Sequence, residues 1–181
     1  MAARLSGTGT RSASLASPTD LAAVAEAARS AGRLGVDTEF MSEGRYRALL
    51  CLVGVVVDGQ PQDGRDGVRL VDPLDHQVDP APLAEVLADP AVEVLVHAGR
   101  QDIALLRRVW RTEVRGVFDT QIAAGFAGFS AQTGYANLLG DVLGLRLAKS
   151  ASFTRWDDRP LSPEQLAYAR DDVAHLPGLA D

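Results

Sequence analysis

Gly35-Val36-Asp37-Thr38-Glu39-Phe40 sets two carboxylates two residues apart in a stretch with the composition of a short strand: a small, apolar entry and an aromatic exit. Side chains of a strand alternate between faces, so Asp37 and Glu39 project from the same face, one pleat apart. Two like charges on a covered face repel each other and are poorly solvated. A divalent cation relieves both problems, and oxygen-only ligands select hard metals such as Mg²⁺ or Mn²⁺. A solvated pair of acids at a strand end fits the same six residues equally well. The rest of the chain has to separate the two readings.

Before this stretch, Ser17-Pro18-Thr19-Asp20 is a helix-start cluster; Leu21, Val24, Ala25 and Ala28 then recur at helical spacing, and Gly32 closes the helix. Beyond a polar loop, Met41 to Arg47, the run from Ala48 to Val57 is almost continuously apolar and is bounded by Asp58-Gly59. Such a run predicts a buried central strand. A hairpin-type loop over Gln60 to Gly67 leads to a third strand over Val68 to Pro73, and three strands with no helix between them predict an antiparallel meander. The period then changes. A short helix is expected over Pro82 to Leu87, a strand over Val92 to Ala98, an amphipathic helix over Gln101 to Trp110 and a short fifth strand over Val117 to Thr120. A meander followed by strand–helix alternation implies an α/β fold with a mixed sheet flanked by helices.

With 181 residues, 46% of them hydrophobic and 23% charged, the chain suits one domain with a full-sized core. No apolar run reaches the roughly 18 residues that span a membrane. Cys51 is the single cysteine, which excludes an internal disulfide framework and fits a reducing, cytoplasmic setting. The net charge of −6 argues against strong binding to nucleic acid through phosphate neutralisation alone. It does not argue against a nuclease whose acids are offset by bound ions. Residues 1–17 contain no acid and no periodicity and are expected to be a disordered tail ahead of a domain over 18–181.

Two further acidic features lie downstream. In His97-Ala98-Gly99-Arg100-Gln101-Asp102-Ile103 a buried strand turns through glycine into a helix, with Asp102 in its first turn. An acid there complements the helix dipole by roughly 0.3–1 kcal/mol. In the stretch from Ser162 to Asp172, Ser162 is an N-cap, Pro163 takes the first helical position and Gln165 completes a capping box. Tyr168 and Asp172, four apart on that helix, share a face.

Taken in this order, the features resemble the ribonuclease D branch of the DEDD 3′–5′ exonucleases. Asp37-Thr38-Glu39-Phe40 is similar to that family's first motif, Val94-Leu95-Val96-His97-Ala98 leading to Asp102 to the second, and Tyr168 followed by Asp172 to the third. Phe118-Asp119-Thr120-Gln121-Ile122-Ala123-Ala124 and the stretch from Lys149-Ser150 through Arg155-Trp156 to Arg159-Pro160-Leu161 also resemble ribonuclease D, so the likeness runs over residues 18–181. Tyr168 points to the tyrosine subclass, because the histidine subclass has its histidine where this chain has Ala167.

The resemblance implies an RNase H-like five-stranded sheet, three antiparallel strands followed by two parallel ones. It implies that Asp37, Glu39, Asp102 and Asp172 hold two divalent metal ions, Mg²⁺ or Mn²⁺, roughly 3.5–4 Å apart. One ion would make hydroxide available near neutral pH and the other would stabilise the departing 3′-oxygen. Tyr168, with a reference pKa near 10, would orient the attacking water. The implied reaction releases nucleoside 5′-monophosphates from single-stranded RNA 3′ ends, tRNA precursors included, with no membrane and no small-molecule cofactor involved. Phe40 and His97 are candidates for contacts with the terminal nucleotide, and Lys149, Arg155 and Arg159 for contacts with phosphate. Two alternatives stand beside this reading: a non-hydrolytic RNA- or protein-binding module on the same fold, and a DNA substrate, since no residue is seen to read a 2′-hydroxyl. Two departures from the family pattern are visible. The glutamine often found in the second strand near Gly54 is absent, and the chain ends at Asp181, expected to be inside the helix that follows Tyr168, without the family's helical HRDC region.

Overall fold

Five strands, β1 (Arg33–Met41), β2 (Leu49–Val57), β3 (Val68–Val71), β4 (Glu93–Val96) and β5 (Val117–Asp119), form one sheet in the order β3-β2-β1-β4-β5. The computed structural model describes residues 15–57, 67–147 and 155–181. β1 pairs antiparallel with β2, and β2 with β3, while β1–β4 and β4–β5 are parallel. This is the expected mixed sheet, with the acidic strand at its centre.

The reason for the layering is legible in β2. Its residues from Leu50 to Val57 are all buried, which requires cover on both faces. On one face lie α1 (Pro18–Ala31), α2 (Ala81–Ala88) and α3 (Arg100–Trp110), which pack Leu21, Ala28, Leu83 and Leu106 against Val36, Val53 and Val55. On the other, α6 (Pro163–Ala174) and α7 (Leu176–Ala180) pack Ala169, Val173 and Leu176 against Leu52, Val56 and Leu95. Each fully buried leucine contributes about 1.5–3 kcal/mol. Between the layers' ends, α4 (Thr120–Phe126), α5 (Tyr135–Leu138) and a π-helical turn (Leu139–Leu143) close one side.

Three local features shape the sheet and its first helix. First, the β1–β2 register slips between Glu39 and Phe40: Glu39 faces Leu52 and Phe40 faces Leu50, so Cys51 is an extra residue on β2. This bulge bends the ladder beside the carboxylates. Second, Gly54 stands opposite Asp37 in the ladder and directly under α6. A Cβ at that position would meet Val173 Cγ1 at 3.1 Å and the Ala169 carbonyl oxygen at 3.2 Å. Third, Asp20 accepts from the Ser17 N–H at 2.8 Å, and Gly32, at φ 70°, ends α1 as expected.

Two expectations are corrected. The tail predicted over 1–17 does not extend to Leu15, Ala16 and Ser17: Leu15 bridges Leu70 in parallel, and the Ala16 N–H donates to the Leu70 carbonyl at 2.7 Å. β3 is the edge strand, and an edge carbonyl finds a partner wherever a neighbouring chain can supply one. The helix carrying Tyr168 ends at Ala174, before the terminus of the chain, and a separate short helix comes after it. Pro177 causes this break, because it has no N–H to donate and its ring collides with the carbonyl four residues back.

Candidate active site

Strand alternation divides the acidic stretch between two partners. Asp37 and Glu39 face α6 and meet Asp172 there, with one carboxylate oxygen from each of the three within 4.8 Å of the others. Thr38, between them and buried, faces the opposite way, and its hydroxyl donates to Asp102 Oδ1 in the first turn of α3. Asp102 is not part of the close triplet, yet it is near enough to act on Asp37 and Glu39 electrostatically.

Each helix is aimed by a local device. On α6, the Ser162 Oγ accepts from the Gln165 N–H at 3.2 Å and Gln165 Oε1 accepts from the Ser162 N–H at 2.9 Å, the expected capping box. α3 starts from a turn in which Ala98 is at φ 54°, an unusual backbone for a residue with a Cβ. Asp119 holds that turn: its carboxylate accepts from the N–H groups of Ala98 (2.9 Å) and Gly99 (3.0 Å) and also from Gln121 (2.9 Å). Asp119 thereby positions Asp102 without belonging to the acidic cluster.

The electrostatics record what it costs to gather these acids. Burial, then Asp102, Glu39 and Asp172, hold the Asp37 carboxyl well above the usual range. Burial, then Asp172 and Asp102, raise Glu39 to about 8. Burial raises Asp172 to about 6, although the Tyr168 hydroxyl donates to it, and burial raises Asp102 against the Thr38 hydrogen bond. The Tyr168 phenol is pushed well above its ordinary value by burial and then by Asp172, so it stays protonated at neutral pH. Convergent, oxygen-only and mutually repelling, Asp37, Glu39 and Asp172 have the donor chemistry of a hard divalent-cation site.

A family model for 3′–5′ exonucleases matches residues 14–181. The chain belongs to the 3′–5′ exonuclease family. The ribonuclease D of Gluconacetobacter diazotrophicus is 41% identical over 157 residues, which cover 87% of this chain and 38% of that protein. The crystal structure of Escherichia coli RNase D, described as an exoribonuclease involved in structured RNA processing, superposes with a TM-score of 0.79 at 31% identity, over 91% of this chain and 42% of that one. Brucella melitensis NrnC, solved with bound pGG, superposes with a TM-score of 0.70 at 27% identity, over 84% of this chain and 71% of that one; it has also been solved with bound Mg²⁺. The chain thus spans well under half the length of these ribonuclease D relatives.

Within this exonuclease domain the residues expected to touch nucleic acid divide sharply. Phe40 points away from Glu39 and packs partly into the core on the α3 side, lining a pocket with Ala48, Gln101, Leu105 and Arg108. Both nitrogens of His97 are engaged: Nε2 donates to the Thr133 carbonyl at 3.1 Å, and Nδ1 lies 2.9 Å from the Thr120 hydroxyl. Its ring also meets Tyr135 edge-on at 5.4 Å. Lys149 lies outside the described residues. Arg155 is exposed and bridges Asp157 and Asp158. Arg159 departs from the expected phosphate contact. All five of its N–H donors have acceptors within the chain: both oxygens of Asp72 and the carbonyls of Cys51, Trp156 and Asp158. That guanidinium ties the segment before α6 to β2 and β3. Replacing Arg159 by alanine takes the cation from a carboxylate whose side chain is 8% exposed and leaves it the Leu74 N–H at 2.9 Å. It is expected to cost roughly 2 kcal/mol, about 5 °C in Tm, with KM for substrate unchanged; calorimetry and steady-state kinetics on one preparation check both.

Sequence reasoning gave no role to Thr38, Asp119 or Tyr135. The Tyr135 hydroxyl accepts from the His175 N–H at 3.2 Å, at the end of α6. The signal for Thr38 was present, since a hydroxyl residue between two acids must face away from them. Nothing local in the sequence marks Tyr135.

The raised carboxyl pKa values have a signed consequence for stability. A carboxyl that holds its proton more tightly when folded than when unfolded adds its full stability below the unfolded pKa, near 4, and loses it as pH rises through the folded one. The window therefore runs from about pH 4 through the Asp172 and Glu39 values, about 6 and about 8. In EDTA the Tm is expected to fall by about 5–10 °C between pH 5 and 8.5, a few kcal/mol. Millimolar Mg²⁺ is expected to restore it most at the alkaline end, and a flat profile in EDTA would show that the acids do not repel as described.

Proposed function

We propose that this chain hydrolyses RNA from the 3′ end, releasing nucleoside 5′-monophosphates. The observation that supports it best is the convergence of Asp37, Glu39 and Asp172 to within 4.8 Å, with the Tyr168 hydroxyl donating to Asp172 beside them. Divalent ions, Mg²⁺ or Mn²⁺, at these acids and Asp102 would supply a water of lowered pKa and counter-charge for the departing 3′-oxygen. Two such ions suit four carboxylates, and the NrnC structure with Mg²⁺ supports that metal.

The protein's own residues do the rest. Asp37 and Glu39 are fixed on a central strand, and Asp172 on a capped helix, so the cluster needs no reorganisation when charge develops. Tyr168, protonated throughout the physiological range, donates a hydrogen bond at its Oη and accepts one from the attacking water. It holds that water in line and does not remove its proton. Thr38 and Asp119 position Asp102. RNA is the preferred polymer because the relatives at 31–41% identity are ribonucleases D, and the site of action we assign is the cytoplasm. Among the described residues no helix is long and apolar enough to cross a membrane.

The test is to incubate end-labelled single-stranded RNA and DNA with Mg²⁺ or Mn²⁺ and resolve the products. A ladder shortening from the RNA 3′ end is expected, and it should vanish in EDTA. Shortening from the 5′ end, or full activity in EDTA, would overturn the assignment. The chain carries a net charge of −6, and affinity for nucleic acid comes mostly from phosphate contacts. Binding is therefore expected in the micromolar range or weaker. A competitor trap should stop degradation after one or a few nucleotides; processive degradation through the trap would contradict this.

A further inference from the structure

Tyr46 is 99% exposed, more than any other large hydrophobic side chain among the described residues. It lies in the loop that joins β1 to β2, two arginines flank it, and the carboxylates of β1 are a few residues away. The loop's shape does not require an aromatic ring. Its turn is made by Gly44 at φ 66° and by the Arg45 N–H, which donates to the Ser42 carbonyl at 3.2 Å.

Nor is the loop loosely attached. Arg45 Nη2 pairs with Asp157 Oδ2 at 3.1 Å. Asp157 is next to Trp156, whose ring centroid is 6.0 Å from that of Tyr168. At the other end, Arg108 of α3 donates to the Ala48 carbonyl. The loop is thus tied on one side to the helix that carries Asp102 and on the other to the segment packed against Tyr168. It begins where β1 ends, two residues after Glu39, and holds Tyr46 fully exposed, with the exposed Arg47 alongside.

We propose that Tyr46 is a stacking platform for single-stranded RNA, taking a base upstream of the 3′ end that is cleaved at the carboxylates, with Arg47 on an adjoining phosphate. The proposal rests on the exonuclease reading of the carboxylate cluster. An aromatic face accepts any base, and a neighbouring cation adds the backbone contact, which is the general chemistry of sequence-tolerant single-strand binding. Arg45, committed to Asp157, fixes the loop and is not a phosphate ligand here. The pair gives a protein of net charge −6 an attractive surface for a strand.

The experiment compares cleavage of RNA dinucleotides and octamers by wild type, Tyr46→Ala, Tyr46→Phe and Arg47→Gln. Tyr46→Ala is expected to raise KM for the octamer about tenfold, with kcat, dinucleotide cleavage and Tm unchanged. Tyr46→Phe should match wild type. Arg47→Gln should weaken octamer binding less and lower the slope of log affinity against log salt by about 1. An unchanged octamer KM in Tyr46→Ala, or an equal loss on both substrates, would overturn the platform while leaving the exonuclease reading intact. If wild type cleaves neither substrate with divalent metal, that reading fails. Fluorescence anisotropy with labelled octamer then still decides the platform, an unchanged Kd in Tyr46→Ala overturning it.

Discussion

Replacing Asp37 by asparagine is expected to reduce hydrolysis by about 10³-fold or more while making the metal-free protein more stable. The first effect would come from removing one of the charges proposed to hold divalent ions, whose stabilisation of the reacting groups would be worth several kcal/mol. The second comes from burial: Asp37 is held well above the normal carboxyl range by desolvation and by three neighbouring acids. A neutral side chain of the same shape removes that repulsion. Single-turnover kinetics with Mg²⁺, beside thermal melting in EDTA at pH 8, measure the two together. A variant that loses activity and stability in parallel would mean that Asp37 is a structural acid. Glu39→Gln, at a carboxyl raised to about 8, is expected to show the same pattern.

Tyr168→Phe is expected to lower kcat by about 10²-fold, the size of losing one positioned proton-handling group, and to leave metal affinity nearly unchanged. The two variants are separable because Tyr168 contributes a hydroxyl and no charge. Its ring, packed against Trp156 at 6.0 Å, is retained in phenylalanine, so the fold should be unaffected. Isothermal titration of Mg²⁺ into the variant, beside its kcat, distinguishes the roles. Wild-type turnover would mean that the hydroxyl only holds Asp172 in place. A rise in rate with pH that is present in wild type and absent in Tyr168→Phe would show Tyr168 acting as a base.

The elements that position these groups could be read from the sequence wherever one local rule governed. β2 announced itself by an unbroken apolar run, α6 by Ser162, Pro163 and Gln165, and the shared face of Asp37 and Glu39 by strand alternation. What escaped depended on tertiary partners. Arg159 reads as a surface cation, and only the fold brings Asp72 and three carbonyls to it. His97 and Phe40, next to motif residues in sequence, spend their side chains on Thr120, Thr133 and the core. The extra residue at Cys51 could not be anticipated, because a bulge is defined by the partner strand's register. Tyr46 carries no signal inside a polar loop, where an aromatic residue gains meaning only once its exposure is known.

The missing side chain at Gly54 ties the geometry of the acidic cluster to a position that offers no chemistry of its own. α6 rests on the sheet at the one point opposite Asp37 where a methyl group would already press on Val173 and the Ala169 carbonyl. The distance between the strand acids and Asp172 is therefore set by a missing side chain. Positions 54 and 173 cannot drift independently: a larger residue at 54 has to be matched by a smaller one at 173 and by a displaced helix, because its other neighbour is the Ala169 backbone carbonyl. Such a coupling makes the depth of this site an inherited property of packing, open to tuning by substitutions that never meet the substrate.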